Sequence, residues 1–179
     1  MSAMNVEFIE NLEDEDLSEQ ILKILTEAND EFVPPLTSRN STTQSDFSQK
    51  PEPDKAVPYA YFDMLKEQKT LVMRDGGRVV GFMSYKTDYE SAVITKDFLP
   101  NVYISTVVTD KMFRHQGVTK GLYGALFERY GDKSIFTRTW STNLPHTRLL
   151  GGFGFAEFKR IKDDRGDGID TVYYFKRKF

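Results

Sequence analysis

Between Val107 and Tyr130 the sequence reads VVTDKMFRHQGVTKGLYGALFERY. It begins as a β-branched run, passes through a basic turn with one glycine, and continues with helical periodicity. A helix start presents unpaired N–H groups and about half a positive charge, which together attract anions. Gly117 has no Cβ, so backbone there can approach a ligand closely. Arg114 and Lys120 add full positive charge, and the Thr119 hydroxyl can donate to an oxyanion. His115, Gln116 and Val118 complete the turn. These parts suit a diphosphate. A plain strand–helix turn with solvated basic residues has the same composition, so the motif alone leaves both readings open.

The flanking segments must hold that turn in place. NVEFIE (5–10) alternates as a strand, and residues 17–32 carry Leu17, Ile21, Ile24, Leu25 and Ala28 at helical spacing. Asp16 with Glu19 three residues on predicts a capping box there, and Pro34-Pro35 ends the helix. Residues 34–58 are polar and proline-studded, which predicts a long loop of the kind that forms lids or binding loops. YAYFDMLKEQ (59–68) reads as a short helix. Residues 70–87 read as a hairpin around Asp75-Gly76-Gly77. Strands follow at 101–109 and 134–140, with a helix at 118–130 between them that buries Val118, Leu122, Ala125, Leu126 and Tyr130. A short helix at 143–153 and a final pair of strands around Asp163–Gly168 close the chain. This order predicts a mixed α/β sheet with helices on both faces, built as one domain over residues 1–179.

Composition narrows the function classes. The chain has 179 residues and a formal net charge of −3, so no global basic field recruits nucleic acid or anionic lipid. It has no cysteine, which excludes disulfides, thiolate metal sites and a cysteine nucleophile. Two histidines 31 positions apart make a poor metal set. The first residues lack a signal-peptide pattern and no apolar run approaches a membrane span of about 20 residues, so a cytoplasmic protein is expected. No Walker string occurs, and the two G-x-G strings, at 152–154 and 166–168, lead into strands rather than a helix.

RHQGVTKGLYGAL resembles the acetyl-CoA pyrophosphate loop of the GNAT superfamily of N-acetyltransferases, [RQ]-x-x-G-x-[GA] with leucine five residues after the first glycine. Arg114, Gly117 and Leu122 match, while Thr119 stands where glycine or alanine is usual. WSTNLPHTRLLGGFGF is similar to a second family segment, N-x-x-A-x-x-L-Y-x-x-x-G-F, through Asn143, Leu149, Gly154 and Phe155. The resemblance implies a GNAT-like, mostly antiparallel sheet in which strand 102–109 splays from strand 134–140 at a bulge. The pantetheine arm of acetyl-CoA would lie in that gap against the backbone of Val107, Val108 and Thr109. The amides of Gln116 to Lys120, with Arg114 and His115 beside them, would hold the pyrophosphate, and Asn143 would bond the pantetheine.

The reaction so implied is direct acetyl transfer from the thioester to an amine of a small molecule or peptide, and the resemblance also implies a homodimer, as in many family members. A lysine-like amine has a pKa of about 10.4, so a base or a desolvating pocket matters, whereas a thiolate of pKa near ~8.5 leaves readily. The family's usual acid, a tyrosine, is replaced by Leu150, which leaves Tyr123, Ser141 or water for that role. No carboxylate lies between Asn101 and Thr109, so Ser105, through a water, and His146 are the candidate base groups, with Glu90 a further one. Tyr59, Tyr61, Phe62, Tyr85 and Tyr89 are expected around an acceptor pocket formed by the 34–58 loop and the 85–100 connection. A non-catalytic acyl-CoA sensor or interaction domain of the same fold is the alternative.

Overall fold

The computed structural model describes residues 3–47 and 57–178. Seven strands form one sheet: β1 (Met4–Ile9), β2 (Lys69–Asp75), β3 (Arg78–Thr87), β4 (Asn101–Thr109), β5 (Ser134–Trp140), β6 (Ala156–Ile161) and β7 (Thr171–Lys176). Their spatial order is β1-β2-β3-β4-β5-β7-β6. All neighbours are antiparallel except β4 and β5, which run parallel over only Asn101–Ile104 against Ser134–Thr137. A parallel pair needs a crossover, and helix α3 (Val118–Tyr130) supplies it.

Four helices cover the two faces. On one, α3 and α4 (Leu144–Gly152) bury Val118, Leu122, Leu126 and Leu150 against Leu71, Met83, Val102 and Ile104. On the other, α1 (Glu15–Glu27) and α2 (Tyr59–Lys66) pack Ile21, Leu25, Tyr61 and Leu65 onto Val72, Phe82 and Val108. Central strands covered on both faces lose the simple alternation of a one-sided sheet, which is why β3 is apolar from Val79 to Met83.

Three expectations change. The cap of α1 is Asp14, which accepts from the Leu17 amide at 2.7 Å, so the helix starts before the expected Asp16; it ends at Glu27 rather than running to 32, with a separate 3-10 turn at Asn29–Glu31. On α3 it is Tyr123 that is fully buried, where Ala125 was expected. Residues 34–47 are a packed segment: Leu36, Arg39, Thr42 and Phe47 are all buried. Residues 48–56 of the expected loop lie outside the described residues.

Gly81 of β3 sets where α3 can start. A Cβ there would stand 2.5 Å from Val118 Cγ1 and 3.1 Å from the Val108 carbonyl oxygen. The first residue of α3 therefore rests on β3 only because position 81 has no side chain. Gly81→Ala should cost about 1–3 kcal/mol of stability by overpacking. Gly121→Ala meets only the end of the Met73 side chain, which can swing away, so it should be neutral or gain up to ~1 kcal/mol of helix propensity. Urea denaturation of both variants checks the contrast.

Candidate functional site

After Ile104, β4 leaves β5. The register of β4 against β3 shifts there, Thr106 facing Ser84 and Ile104 facing Tyr85, so Ser105 is the extra residue of a bulge. β4 keeps β3 as far as Thr109, and β5 keeps β7 as far as Trp140, so the two strands splay with their facing backbone edges open. Thr137 Oγ1 donates to the Ile104 carbonyl at 3.2 Å, closing the apex. The gap opens into a cleft of about 860 Å³.

The turn before α3 lies at one end of this cleft. His115 and Gly117 both adopt left-handed backbone, with φ of 62° and 83°. Such alternation aims successive amides to one side and forms an anion-binding concavity. Gly117 caps α3 with no side-chain partner for the first-turn amides and no acidic residue in that turn. A Cβ on Gly117 would meet no protein atom within 4 Å, so only its φ requires glycine. The Thr119 and Thr109 hydroxyls are 2.9 Å apart, tying the helix start to the end of β4.

Val107, Val108, Thr109, Arg114, His115, Gly117, Val118, Thr119, Lys120 and Asn143 all line the cleft, together with Ser105 and His146. Of the residues expected to hold the cofactor, Gln116 is the one absent from the wall; its side chain donates to the Met112 carbonyl at 3.1 Å. Arg114 is already engaged: its guanidinium makes two hydrogen bonds, 2.8 and 2.6 Å, to the Glu31 carboxylate. That pairing holds the Glu31 carboxyl below its ordinary range and the Arg114 guanidinium above its own. Asn143 Nδ2 donates to Thr139 Oγ1 at 3.0 Å, leaving its carbonyl oxygen as the group to meet a ligand donor.

The candidate base residues differ in state. Ser105 Oγ donates to Gln68 Oε1 at 2.6 Å, with the Ser84 carbonyl 3.2 Å away. Its proton is committed, so toward the cleft it presents lone pairs that suit an ammonium or a water. His146 Nε2 is 2.9 Å from the hydroxyl of fully buried Tyr123. Burial drives the phenol pKa upward, so it stays protonated, and it has no other hydrogen-bond partner among the described residues. The hydroxyl therefore donates to Nε2 and the imidazole carries its proton on Nδ1. Burial also lowers the His146 pKa to about 4. A neutral ring whose lone pair is occupied argues against His146 as the base. Tyr123 itself is not in the wall, Ser141 Oγ accepts from the Asp170 amide, and Glu90 is exposed.

The expected aromatic pocket is core instead. Tyr61 is buried with its hydroxyl 2.6 Å from Thr106 Oγ1, Phe62 packs under α1, Tyr85 meets Tyr130, and Tyr89 stacks on Tyr103 at 4.5 Å. Tyr59 is exposed. The aromatic wall of the cleft comes from Phe32, Phe113 and Trp140, which sequence reasoning passed over along with Glu31 and Arg138. The open edge of β5 offered the one usable signal: a splayed pair exposes both strands.

The Acetyltransferase (GNAT) family model matches residues 36–155. The chain belongs to this family. Solved structures of similar fold include an N-acetyltransferase from Staphylococcus aureus Mu50, 15% identical over 99% of this chain and 100% of that one, with a TM-score of 0.66. A ribosomal-protein-alanine N-acetyltransferase from Brucella melitensis is 16% identical over 97% and 99%, with a TM-score of 0.66. A Salmonella typhimurium structure described with its cofactor acetyl-CoA is 17% identical over 99% and 95%, with a TM-score of 0.64. At these identities the likeness is one of fold. No curated protein matches the sequence. Among the described residues of this GNAT chain no helix is long and apolar enough to cross a membrane, and no cluster of three acidic or histidine side chains is placed to hold a metal.

Because the folded pKa of His146 lies below the ordinary value of about 6.5, the unfolded chain binds the extra proton first. The His146 contribution should hold above about pH 6.5, fall as pH drops toward about 4, and level off below that. Urea denaturation at pH 7 and pH 5 should show the loss, and His146→Gln should flatten it; NMR titration of the imidazole should find it neutral at pH 5.

Proposed function

We propose that this chain is an acetyl-CoA-dependent N-acetyltransferase that moves the acetyl group directly to an amine. The observation that carries the reading is the splay of β4 from β5 ending at the basic, glycine-capped start of α3. In this reading the pantetheine arm lies along the open backbone of Val107, Val108 and Thr109. The amides of Gly117 to Lys120 and the Lys120 charge hold the diphosphate, with His115 beside them, Gln116 contributing backbone only, and Asn143 Oδ1 accepting from a pantetheine amide.

The chemistry assigned to the chain's own residues is modest. Ser105 accepts a hydrogen bond from the incoming ammonium or from a water that removes its proton, at the point where the strands part. An amine drawn out of water beside the apolar walls loses part of its preference for the charged form, which supplies nucleophile without a strong base. Leu150 is fully buried and takes no part in proton transfer. His146 Nδ1–H is a neutral donor on the cleft wall, suited to steady a departing thiolate. Glu31 competes with the diphosphate for Arg114, so cofactor entry exchanges one anionic partner for another.

Gly117→Glu should abolish acetyl-CoA binding, since it sets a carboxylate and a strained φ at the anion site; circular dichroism should show the fold kept. Thermal shift is the assay, because a ligand at 100 times its Kd adds about 2.7 kcal/mol of apparent stability. Undiminished stabilisation of the variant would count decisively against the assignment. Asn143→Ala should weaken binding more than His146→Ala. Glu31→Gln should tighten acetyl-CoA by up to about fivefold, as an exposed pair is worth about 0–1 kcal/mol, and the gain should shrink at high salt.

A further inference from the structure

Three arginines gather behind the Phe32–Trp140 end of the cleft. Arg39 and Arg165 are 8% and 7% exposed, and Arg138 lines the cleft itself. All three guanidinium carbons lie near one ring, at 5.4, 5.2 and 4.6 Å from the centre of Phe47 for Arg39, Arg138 and Arg165. Arg39 also lies 5.5 Å from the Phe32 ring and Arg165 5.8 Å from Trp140.

Their hydrogen bonds go to neutral groups. Arg39 Nε donates to the Pro34 carbonyl at 3.0 Å, and Arg165 donates to the Val33 carbonyl at 2.8 Å and to Thr171 Oγ1 at 2.9 Å. Arg138 donates to the Gln44 carbonyl and, at 3.2 Å, to the Tyr173 hydroxyl. Carbonyls satisfy N–H groups without cancelling charge. Among the described residues no carboxylate hydrogen-bonds to any of the three; the nearby Asp164 accepts from Thr171 instead. Arg39 Nη2 is buried with no hydrogen-bond partner. Burial brings the Arg39 pKa down to about 10, and burial with repulsion from Arg39 and Arg138 brings Arg165 to about 9.

Burying one unpaired charge costs several kcal/mol, so three together call for an anion. A fork of planar guanidiniums suits carboxylate and phosphonate oxygens, which accept two parallel N–H bonds. We infer that the acceptor amine is a small molecule that also carries a carboxylate or phosphonate, which meets Arg138 on the cleft wall within the positive field of Arg39 and Arg165 behind it, while its amine faces Ser105. This rests on the acetyl-transfer reading and narrows it to amino acids and their phosphonate counterparts. The cofactor's own phosphates are assigned elsewhere, to the start of α3. Arg138 is tied instead to Tyr173, whose ring packs with Tyr103 on the sheet face away from α3.

The test uses the full chain and matched amines: α-amino acids, each beside its carboxamide, and 2-aminoethylphosphonate beside ethanolamine. Thermal shift without acetyl-CoA reads binding alone, and thiol release from acetyl-CoA reads turnover; the carboxylate and phosphonate arms separate the two anions. At least one acid should raise Tm where its neutral partner does not, and should exceed that partner in kcat/KM by about tenfold or more. Arg39→Gln and Arg165→Gln should raise KM for that acid by about tenfold or more and leave the acetyl-CoA Kd unchanged. The comparison on the unaltered chain decides the matter even if a variant fails to fold. No preference for any acid in either assay overturns the inference, and so does a loss of acetyl-CoA affinity in Arg39→Gln, which would make the cluster a cofactor-phosphate site. If acetyl-CoA neither binds nor is cleaved, the transfer reading falls, while the thermal shifts still judge the anion site separately.

Discussion

β4 cannot pair with β3 and β5 along its whole length. The extra residue at Ser105 keeps β4 in register with β3 and turns its far half away from β5, so the parallel ladder lasts only four residues. Buried backbone groups normally find partners, and a strand edge opened inside a sheet is costly unless something pairs with it. That cost is confined to a stretch where both edges face one cleft. The helix that follows β4 must then cross over with its start beside the opening, which brings a dipole and a row of amides to the same place. Gly81 permits the close seat of Val118 that holds this arrangement together.

Charge is distributed around the cleft in two separate groups. At the α3 end, Arg114 is exposed enough to exchange partners, and Glu31 occupies it with a pair of hydrogen bonds. At the other end, Arg39 and Arg165 are closed off from solvent and bonded to carbonyls of the 33–47 segment and to Thr171. The first group behaves as a surface pair that ionic strength weakens, and the second as a fixed field in a low-dielectric setting. Overall composition, with its slight negative balance, conceals both.

The parts of this arrangement legible in the sequence are those encoded locally. α3, β4 and β5 begin and end at the residues expected, because each is bounded by glycine, proline or polar turns. The glycine-capped basic turn is legible for the same reason: its glycine, basic residues and helix start are contiguous. The start of α1 is not legible in the sequence because Asp14 and Asp16 both suit an N-cap, and backbone geometry rather than spacing selects between them. Residues 34–47 look polar, yet the apolar Leu36 and Phe47 anchor them, and the arginine bonds that hold them join positions 94 and 132 apart. Glu31 and Arg114 are 83 apart, and no periodicity links them. Nearness to the 34–58 and 85–100 connections points the aromatics toward a pocket, yet Tyr61, Phe62, Tyr85 and Tyr89 serve three core clusters and Tyr59 faces solvent.

Gln68 joins two of these regions through a single amide. Its oxygen receives the Ser105 proton, and its nitrogen donates to the buried Thr42 hydroxyl. Rotating that amide by half a turn would set an N–H against Ser105 Oγ and oblige the serine to accept, sending its own proton elsewhere. Thr42 can accept or donate and so tolerates either orientation, which leaves the polarity that Ser105 shows to the cleft in the keeping of the Gln68 amide, one side chain removed from the opening.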